Sequence, residues 1–514
     1  MKLNIKNIIM GGAMALAIGL TSCVDDLNVE PINPQVSQEF DQQAVFTKIY
    51  ASLGMTGMTG TAGGGDLDAM GIDEGQSGFY RTLWYLNNLA GDEALCVWGD
   101  NGVPEANFTG WTDTDVFVQG LYYRLFFGVT LCNHFLDMTA DIDDAETKLQ
   151  RAETRFIRAL NYYYLMDMYA NVPLVTRVES ETPQQATRAE IFDFLEQELL
   201  DMQSEMSEPG AGMYYRVDRA AAWLLLSRLY LNAEVYTGTA RWADAATYAE
   251  MVINSSYALA DNYAALFMGD NDTNADAMGE IILPIAQHGD FTKTYSGSYF
   301  LVAATHTAGM PAWGTIDGWG GICARKSLIQ KFETGSDDRA LFYATSDDPT
   351  ITDPHAFTSG WGVTKWNNLD SKTGGPLEGN GNDVEEKVPE TDIPFLRVAE
   401  AYLTYAEAAF RDAAGNKALA LQRFNALRTR ANAQPASNLT LELLRDEWSR
   451  EFYFEGRRRI DLVRFNSFGG NTDYNWDWKA GVANGTSFDA KYNILPIPVS
   501  DRNANSNLVQ NPGY

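Results

Sequence analysis

Residues 218–253 read DRAAAWLLLSRLYLNAEVYTGTARWADAATYAEMVI, and this stretch decides the fold. Two apolar stripes run through it. Ala221, Ala222, Leu225 and Leu229 form the first, and Ala245, Ala246, Ala249 and Val252 form the second. Steps of three and four residues place such side chains on one face of an α-helix. The spacing predicts helices over Asp218–Tyr236 and Trp242–Ile253. Small alanines on the facing stripes let two helix axes approach closely.

The same pattern continues on both sides. Leu149, Ala152, Phe156, Ala159, Leu160 and Tyr163 make one helical face. Ile191, Leu195, Leu199 and Met202 make another within 188–206, which Pro209-Gly210 stops. Further helices are predicted over 397–412, 417–431 and 441–454. Helices paired through small residues predict a mostly α fold of tetratricopeptide-like pairs. From about 255 to 390 the periodicity fades, and Gly, Asp, Asn, Thr and Trp dominate. This reads as a loop-rich insertion of long loops and short strands, where binding residues sit on a rigid scaffold. Gly54–Gly65, GMTGMTGTAGGG, lacks the Gly-Lys-Ser/Thr of a phosphate loop and reads as a mobile surface loop.

The chain has 514 residues, with 38 Lys and Arg against 68 Asp and Glu, a formal charge of −30. Such a charge opposes binding to nucleic acid, whose phosphates call for basic patches. It equally opposes electrostatic attachment to an anionic lipid surface. Neutral ligands fit better, and twelve Trp with 25 Tyr supply many flat faces and hydroxyls.

The N-terminus carries its own signal. Lys2 and Lys6 precede an apolar run from Ile8 to Leu20. The run is too short to span a bilayer, which takes roughly 20 residues, but fits a secretory signal. Leu20-Thr21-Ser22-Cys23 then reads as a bacterial lipobox, with cleavage before Cys23 and lipid on its sulfur. The expected organisation is a signal peptide over 1–22 and one mature unit over 23–514. Within it, about 24–255 is the helical part and about 256–514 the loop-rich binding and C-terminal part. Cys96, Cys132 and Cys323 remain, an odd number outside any CxxC, which argues against a zinc site.

Motifs for catalysis are missing. There is no GxSxG, no HExxH and no glycine fingerprint of a dinucleotide site, and the four His lie in no motif with Ser or Cys. Glu447, Glu451 and Glu455 lie on one helical face and invite a glycosidase reading. Glycosidase carboxylates flank the sugar from opposite sides, however, and these neighbour Arg445, Arg450, Arg457, Arg458 and Arg459. Ion pairing, which keeps carboxylates ionised, explains the pattern better. Asp270, Asp272, Asn274 and Asp276 place oxygens at alternate positions, either the start of a calcium loop or a solvated acidic turn. The sixth-position glycine and twelfth-position glutamate of an EF-hand are absent.

The remaining constellation is aromatic and polar. Asp73 and Arg81 bracket EGQSGFY, Trp98 and Asn101 lie in VWGDN, and Tyr295 and Trp319 lie in Gly-rich loops. A sugar ring has an apolar face of C–H bonds and a rim of hydroxyls. Trp and Tyr can cover the face, while Arg, Asp and Asn satisfy the rim. Spacing alone slightly favours plain loop-anchoring aromatics.

Several motifs together resemble the SusD/RagB family of outer-membrane lipoproteins over essentially the whole chain. They are Cys23 with Phe40-Asp41-Gln42-Gln43, DEGQSGFYRT from Asp73, Gln150-Arg151-Ala152-Glu153 and Leu229-Tyr230-Leu231-Asn232-Ala233. Late in the chain come Ala399-Glu400-Ala401-Tyr402-Leu403, EFYFEGRR from Glu451 and the ending Gln510-Asn511-Pro512-Gly513-Tyr514. The resemblance implies four tetratricopeptide-like helix pairs and a lipid anchor on Cys23 at the cell surface. It also implies a SusC-like, TonB-dependent transporter as partner, and glycan capture without catalysis or any required cofactor. Asp73, Arg81, Trp98, Asn101, Tyr295 and Trp319 match the starch-contacting positions of the family's starch-binding founding member. Starch or malto-oligosaccharide is therefore the expected ligand; another glycan, or a glycosidase activity, are the alternatives. The acidic run Asp270–Asp276 lies where that member holds calcium, which implies a structural Ca2+. This chain is shorter than it after Phe332.

Overall fold

The computed structural model describes residues 40–514 except 59, 61–63, 179–180, 316, 333–334 and 378–387. Cys23 and its lipobox lie outside the described residues. The main helices are α1 (Gln42–Gly54), α2 (Phe79–Trp84), α3 (Val116–Met138), α4 (Ala145–Tyr169), α5 (Arg188–Met202), α6 (Arg219–Leu231), α7 (Trp242–Ile253), α8 (Ser298–Thr305), α9 (Ala399–Arg411), α10 (Lys417–Arg430) and α11 (Leu441–Phe452). Short strands pair antiparallel. β1 (Ala94–Cys96) joins β3 (Ile322–Ala324), and β2 (Ile281–Ile285) joins β4 (Ile393–Arg397).

Most of these helices begin with side-chain caps. Asp115, Asp144, Asp218, Asn416 and Thr440 each accept a backbone N–H of the first turn of α3, α4, α6, α10 and α11. Thr187 and Glu190 form a reciprocal capping box on α5. Each cap satisfies N–H groups that the helix itself leaves unbonded, and contributes about 1 kcal/mol.

The helices stack in succession: α3 on α4, α4 on α5, α5 on α6, α6 on α7, α7 on α9 and α9 on α10. The alanine stripes follow their spacing except at Ala246, which stays partly exposed. Ala221, Ala222, Leu225, Ala245, Ala249 and Val252 are fully buried where α6 meets α7. The architecture is mostly helical, with tetratricopeptide-like stacking and a few short two-stranded sheets, of which β1–β3 joins the stretch before α3 to the segment between α7 and α9.

Three boundaries differ from the sequence-based expectation, each for a local reason. The helix expected over 218–236 breaks at Asn232, whose amide donates to the Arg228 carbonyl at 2.9 Å and ends the turn. Arg397 closes β4 rather than opening α9, because its guanidinium is drawn into a cluster of glutamates. α11 stops at Phe452; Phe454 turns left-handed (φ 63°) and offers its carbonyl to Trp84 Nε1 and Trp366 Nε1. Gly54–Gly65 is not simply a surface loop. Gly54 ends α1, and Thr56 is buried with its hydroxyl on Glu74. No helix among the described residues is long and apolar enough to cross a membrane.

Candidate functional site

The site is built around the end of the β1–β3 pair. Leu95 lies opposite Cys323, and the Val97 N–H donates to the Gly321 carbonyl at 2.8 Å. Trp98 follows β1, and Trp319 stands three residues before β3. The pairing thus brings two Trp more than two hundred residues apart to a ring-centroid distance of 6.3 Å, with planes at 54°. Trp98 crosses directly over Gly321, where φ is +97°. Both the backbone angle and the close approach require glycine there.

Trp319 is fixed from the other side by α8. Its N–H donates to the Ala303 carbonyl at 2.8 Å, and the Gly320 N–H donates to His306 O at 2.8 Å. Its ring packs on Tyr299 at 5.1 Å, and the Tyr299 hydroxyl donates to the Asp317 carboxylate. Tyr295 lies just before α8, 5.6 Å from the Trp319 ring at 66°. Trp98, Trp319 and Tyr295 therefore form an arc whose faces turn from one ring to the next. All three are half-buried, backed by apolar clusters around Leu95 and Val97 on one side and Tyr299 and Ala303 on the other.

The segment from Asp73 to Arg81 positions the polar wall. Asp73 caps a single 3-10 turn by accepting the Gly75 N–H at 2.9 Å. That turn buries Glu74, which accepts from the Thr56 and Thr294 hydroxyls, each at 2.5 Å, and from the Tyr295 N–H at 3.2 Å. Glu74 so ties the Tyr295 loop to the start of α2. Gly78 at the head of α2 lets Ser296 approach within 2.1 Å of where a Cβ would lie. Arg81 then projects from α2. Its Nη1 donates to Tyr295 O at 3.1 Å and its Nη2 to Tyr85 Oη at 3.1 Å, while the guanidinium lies 4.8 Å from the Phe300 ring centre.

Arg81, Trp98, Tyr295 and Trp319, together with Asp100, line one open cleft of about 410 Å³. Four of the six residues singled out from sequence converge here. Asp73 stands beside Arg81: both flank Gly75, within 3.4 Å of where its Cβ would lie. Asn101 is exposed in the turn after Asp100. Neither lines the cleft itself. Glu74 and Asp100 went unnoticed in the sequence, since one acidic residue among 68 carries no pattern of its own.

The members of the acidic run each engage protein partners. Asp270 accepts from the Ser371 N–H and hydroxyl, and Asn274 caps the helix 275–280. Asp276 accepts the N–H groups of Asp261 and Asn262, and Asp272 accepts the Tyr215 hydroxyl. Among the described residues no group of three or more His, Cys, Asp or Glu is placed to hold a metal ion.

The helical glutamates are locked in charge pairs. Glu451 meets Arg397 at 2.6 Å, Arg430 at 2.5 Å and Arg339 at 2.9 Å; Glu447 meets Arg339, Arg428 and Arg450, each at 2.8 Å. Glu455 is held by Lys365 and Arg397. Burial alone would raise the Glu447 carboxyl, but Arg339, Arg450 and Arg428 outweigh it and hold it down at about 2. A carboxyl so acidic cannot protonate a leaving group near neutral pH. Cys96, Cys132 and Cys323 are free and buried, and burial pushes the Cys132 and Cys323 thiols up to about 12, far from nucleophilic.

The comparisons with known proteins agree with this picture. Residues 336–514 match the SusD family, and residues 28–231 match a family described as starch-binding, associating with the outer membrane. Starch-binding protein SusD of Bacteroides thetaiotaomicron is 42% identical over 99% of this chain and 99% of its own. A solved SusD homolog from the same species superposes with a TM-score of 0.70 at 20% identity, covering 92% of this chain and 96% of its own. A laminarin-binding SusD-like protein superposes with a TM-score of 0.69 at 22% identity, covering 93% and 100%. The protein is a carbohydrate-binding protein and not an enzyme. The chain belongs to the SusD family.

Proposed function

We propose that this chain captures starch and malto-oligosaccharides at the cell surface and delivers them to a SusC-like, TonB-dependent outer-membrane transporter. The observation that carries the reading is the turning arc of Trp98, Trp319 and Tyr295. α-1,4-Glucans curve, so rings that rotate from one to the next can each cover the C–H face of a successive glucose. A flat chain such as cellulose would call for coplanar platforms. Arg81, with Asp73 and Asn101 nearby, would serve the hydroxyl rim. The 42% identity to a starch-binding relative supports the same ligand class. Lipid on Cys23 would hold the protein at the membrane, since several acyl chains on one residue anchor stably where a single chain does not.

A structural calcium is a separable part of this reading, and Asp272 is the member of the acidic run that supports it. Asp272 and Glu390 both repel the Asp392 carboxylate. Among the described residues Asp392 Oδ2 is buried with no hydrogen-bond partner, and burial together with those neighbours raises its pKa well above the usual range. A cation there would relieve that repulsion.

The test is native affinity electrophoresis of the protein lacking residues 1–23, in gels containing amylopectin, pullulan, dextran, xylan or inulin. Retardation by amylopectin and pullulan alone supports the proposal. Retardation by another glycan, or by none, withdraws the starch assignment. Co-purification of the lipidated chain with a TonB-dependent transporter from detergent-solubilised membranes tests the partner.

A further inference from the structure

We propose that Asp100 is the acceptor that orients neutral sugar hydroxyls in the cleft and turns anionic glycans away. The inference rests on the carbohydrate reading above and assigns a residue outside the six matched positions.

Asp100 lines the cleft beside Arg81, Trp98, Tyr295 and Trp319, in an exposed turn closed by the Val103 N–H on the Asp100 carbonyl at 3.0 Å. The turn fixes the backbone and leaves the side chain uncommitted. Its carboxylate makes no hydrogen bond or ion pair with another described residue. The neighbouring acids differ: Glu74 accepts three donors and Asp73 caps its turn. The cleft therefore holds one carboxylate with free lone pairs.

Arg81 supplies the complement. A guanidinium has five N–H donors, and three are committed, to Tyr295 O and twice to Tyr85 Oη. The other two remain for a ligand. Asp100 and Arg81 are the two charged residues that line this cleft. A sugar hydroxyl is at once donor and acceptor. It can donate to Asp100 while a neighbouring hydroxyl accepts from Arg81, which orients a vicinal diol edge-on to the wall while its ring lies on Trp98 or Trp319.

The charge adds discrimination. Arg81 alone would welcome a uronate or sulfate. With Asp100 lining the same cleft, an anionic substituent meets a like charge, a repulsive element that works only against the wrong ligand.

The test compares binding of maltoheptaose and of its C6-oxidised, carboxylate-bearing counterpart by isothermal titration calorimetry. The proteins are wild type, Asp100→Asn and Asp100→Glu, each checked for fold by circular dichroism. Asp100→Asn should weaken maltoheptaose binding about tenfold, the loss of a charge-assisted hydrogen bond. Its preference for the neutral over the oxidised ligand should collapse, while Asp100→Glu keeps that preference. An Asn variant that binds both ligands as wild type does, or loses both in equal proportion, overturns the proposal. If wild type binds no α-glucan, the starch reading fails by itself. The same neutral-against-oxidised comparison then runs on whichever glycan retards the protein, with the same criterion for Asp100.

Discussion

Trp98 lies across the backbone of Gly321, so that a Cβ built on Gly321 would fall 2.0 Å from Trp98 Nε1. No side chain fits there without moving the indole. Gly321→Ala should displace the ring and add the strain of a left-handed alanine, about 1 kcal/mol or more. The expected result is a modest fall in melting temperature with a far larger loss of glycan affinity, read by thermal melts and calorimetry on one preparation. Normal affinity in the alanine variant would mean that Trp98 is not held by this contact.

Removing the ring itself is the sharper experiment. Trp98 is half-buried at the edge of its cluster, so Trp98→Ala leaves the core around Leu95 and Val97 in place. Truncating an aromatic anchor at the centre of a binding surface commonly costs 2 kcal/mol or more, roughly thirtyfold in Kd. The circular dichroism spectrum should stay unchanged while retardation in amylopectin gels disappears.

Glu74 acts behind the site. Glu74→Ala leaves the Thr56 and Thr294 hydroxyls and the Tyr295 N–H without their acceptor. Unpaired buried donors cost about 1–3 kcal/mol each. Thermal stability should drop clearly, and binding should weaken as Tyr295 leaves the arc. Loss of stability with full affinity would show that Tyr295 does not need this tether.

Acid should attack the helical glutamates. Glu447 titrates at about 2 in the folded protein, below the ordinary value of 4.5, and Glu451 lies lower still. A depressed folded pKa stabilises the protein above the unfolded value and loses that contribution as pH falls through the folded one. Urea unfolding should therefore show stability dropping between pH 4.5 and 2. Arg339→Met, which leaves Glu447, Glu451 and Asp337 each short of a partner, should unfold at higher pH than wild type.

Glu93 runs the opposite way. Burial, with Asp92 beside it, raises its carboxyl to about 7 against the opposing pull of Arg458. A raised folded pKa favours the protonated fold, so its contribution is full below 4.5 and lost as pH rises through 7. Glu93→Gln should flatten the stability profile between pH 4.5 and 7, and an unchanged slope there would assign the titration to another group.

The helices with one apolar stripe were legible in the sequence, and the alanine contact of α6 and α7 was the clearest of them. α3 was not. Phe117, Val118, Leu121, Leu125, Val129 and Cys132 are all buried, but Tyr122, Arg124 and Asn133 are buried too, so no single stripe stands out. A helix covered on most of its surface erases the periodicity that would reveal it. Its remaining signal was Asp115, a capping residue ahead of a long apolar run. The site was legible as residue types and through family resemblance. Its geometry was not, because Trp98 meets Trp319 only through the pairing of two three-residue strands, too short to announce themselves.

That pairing also sets when the protein becomes useful. Arg81 and Trp98 emerge from the ribosome long before Tyr295 and Trp319, and the strand that aligns the two Trp ends only at Ala324. A product truncated ahead of that point lacks the complete strand that brings Trp319 to Trp98. Retention on a glycan column would thus serve as a conformational assay, separating finished molecules from chains that stopped or folded short.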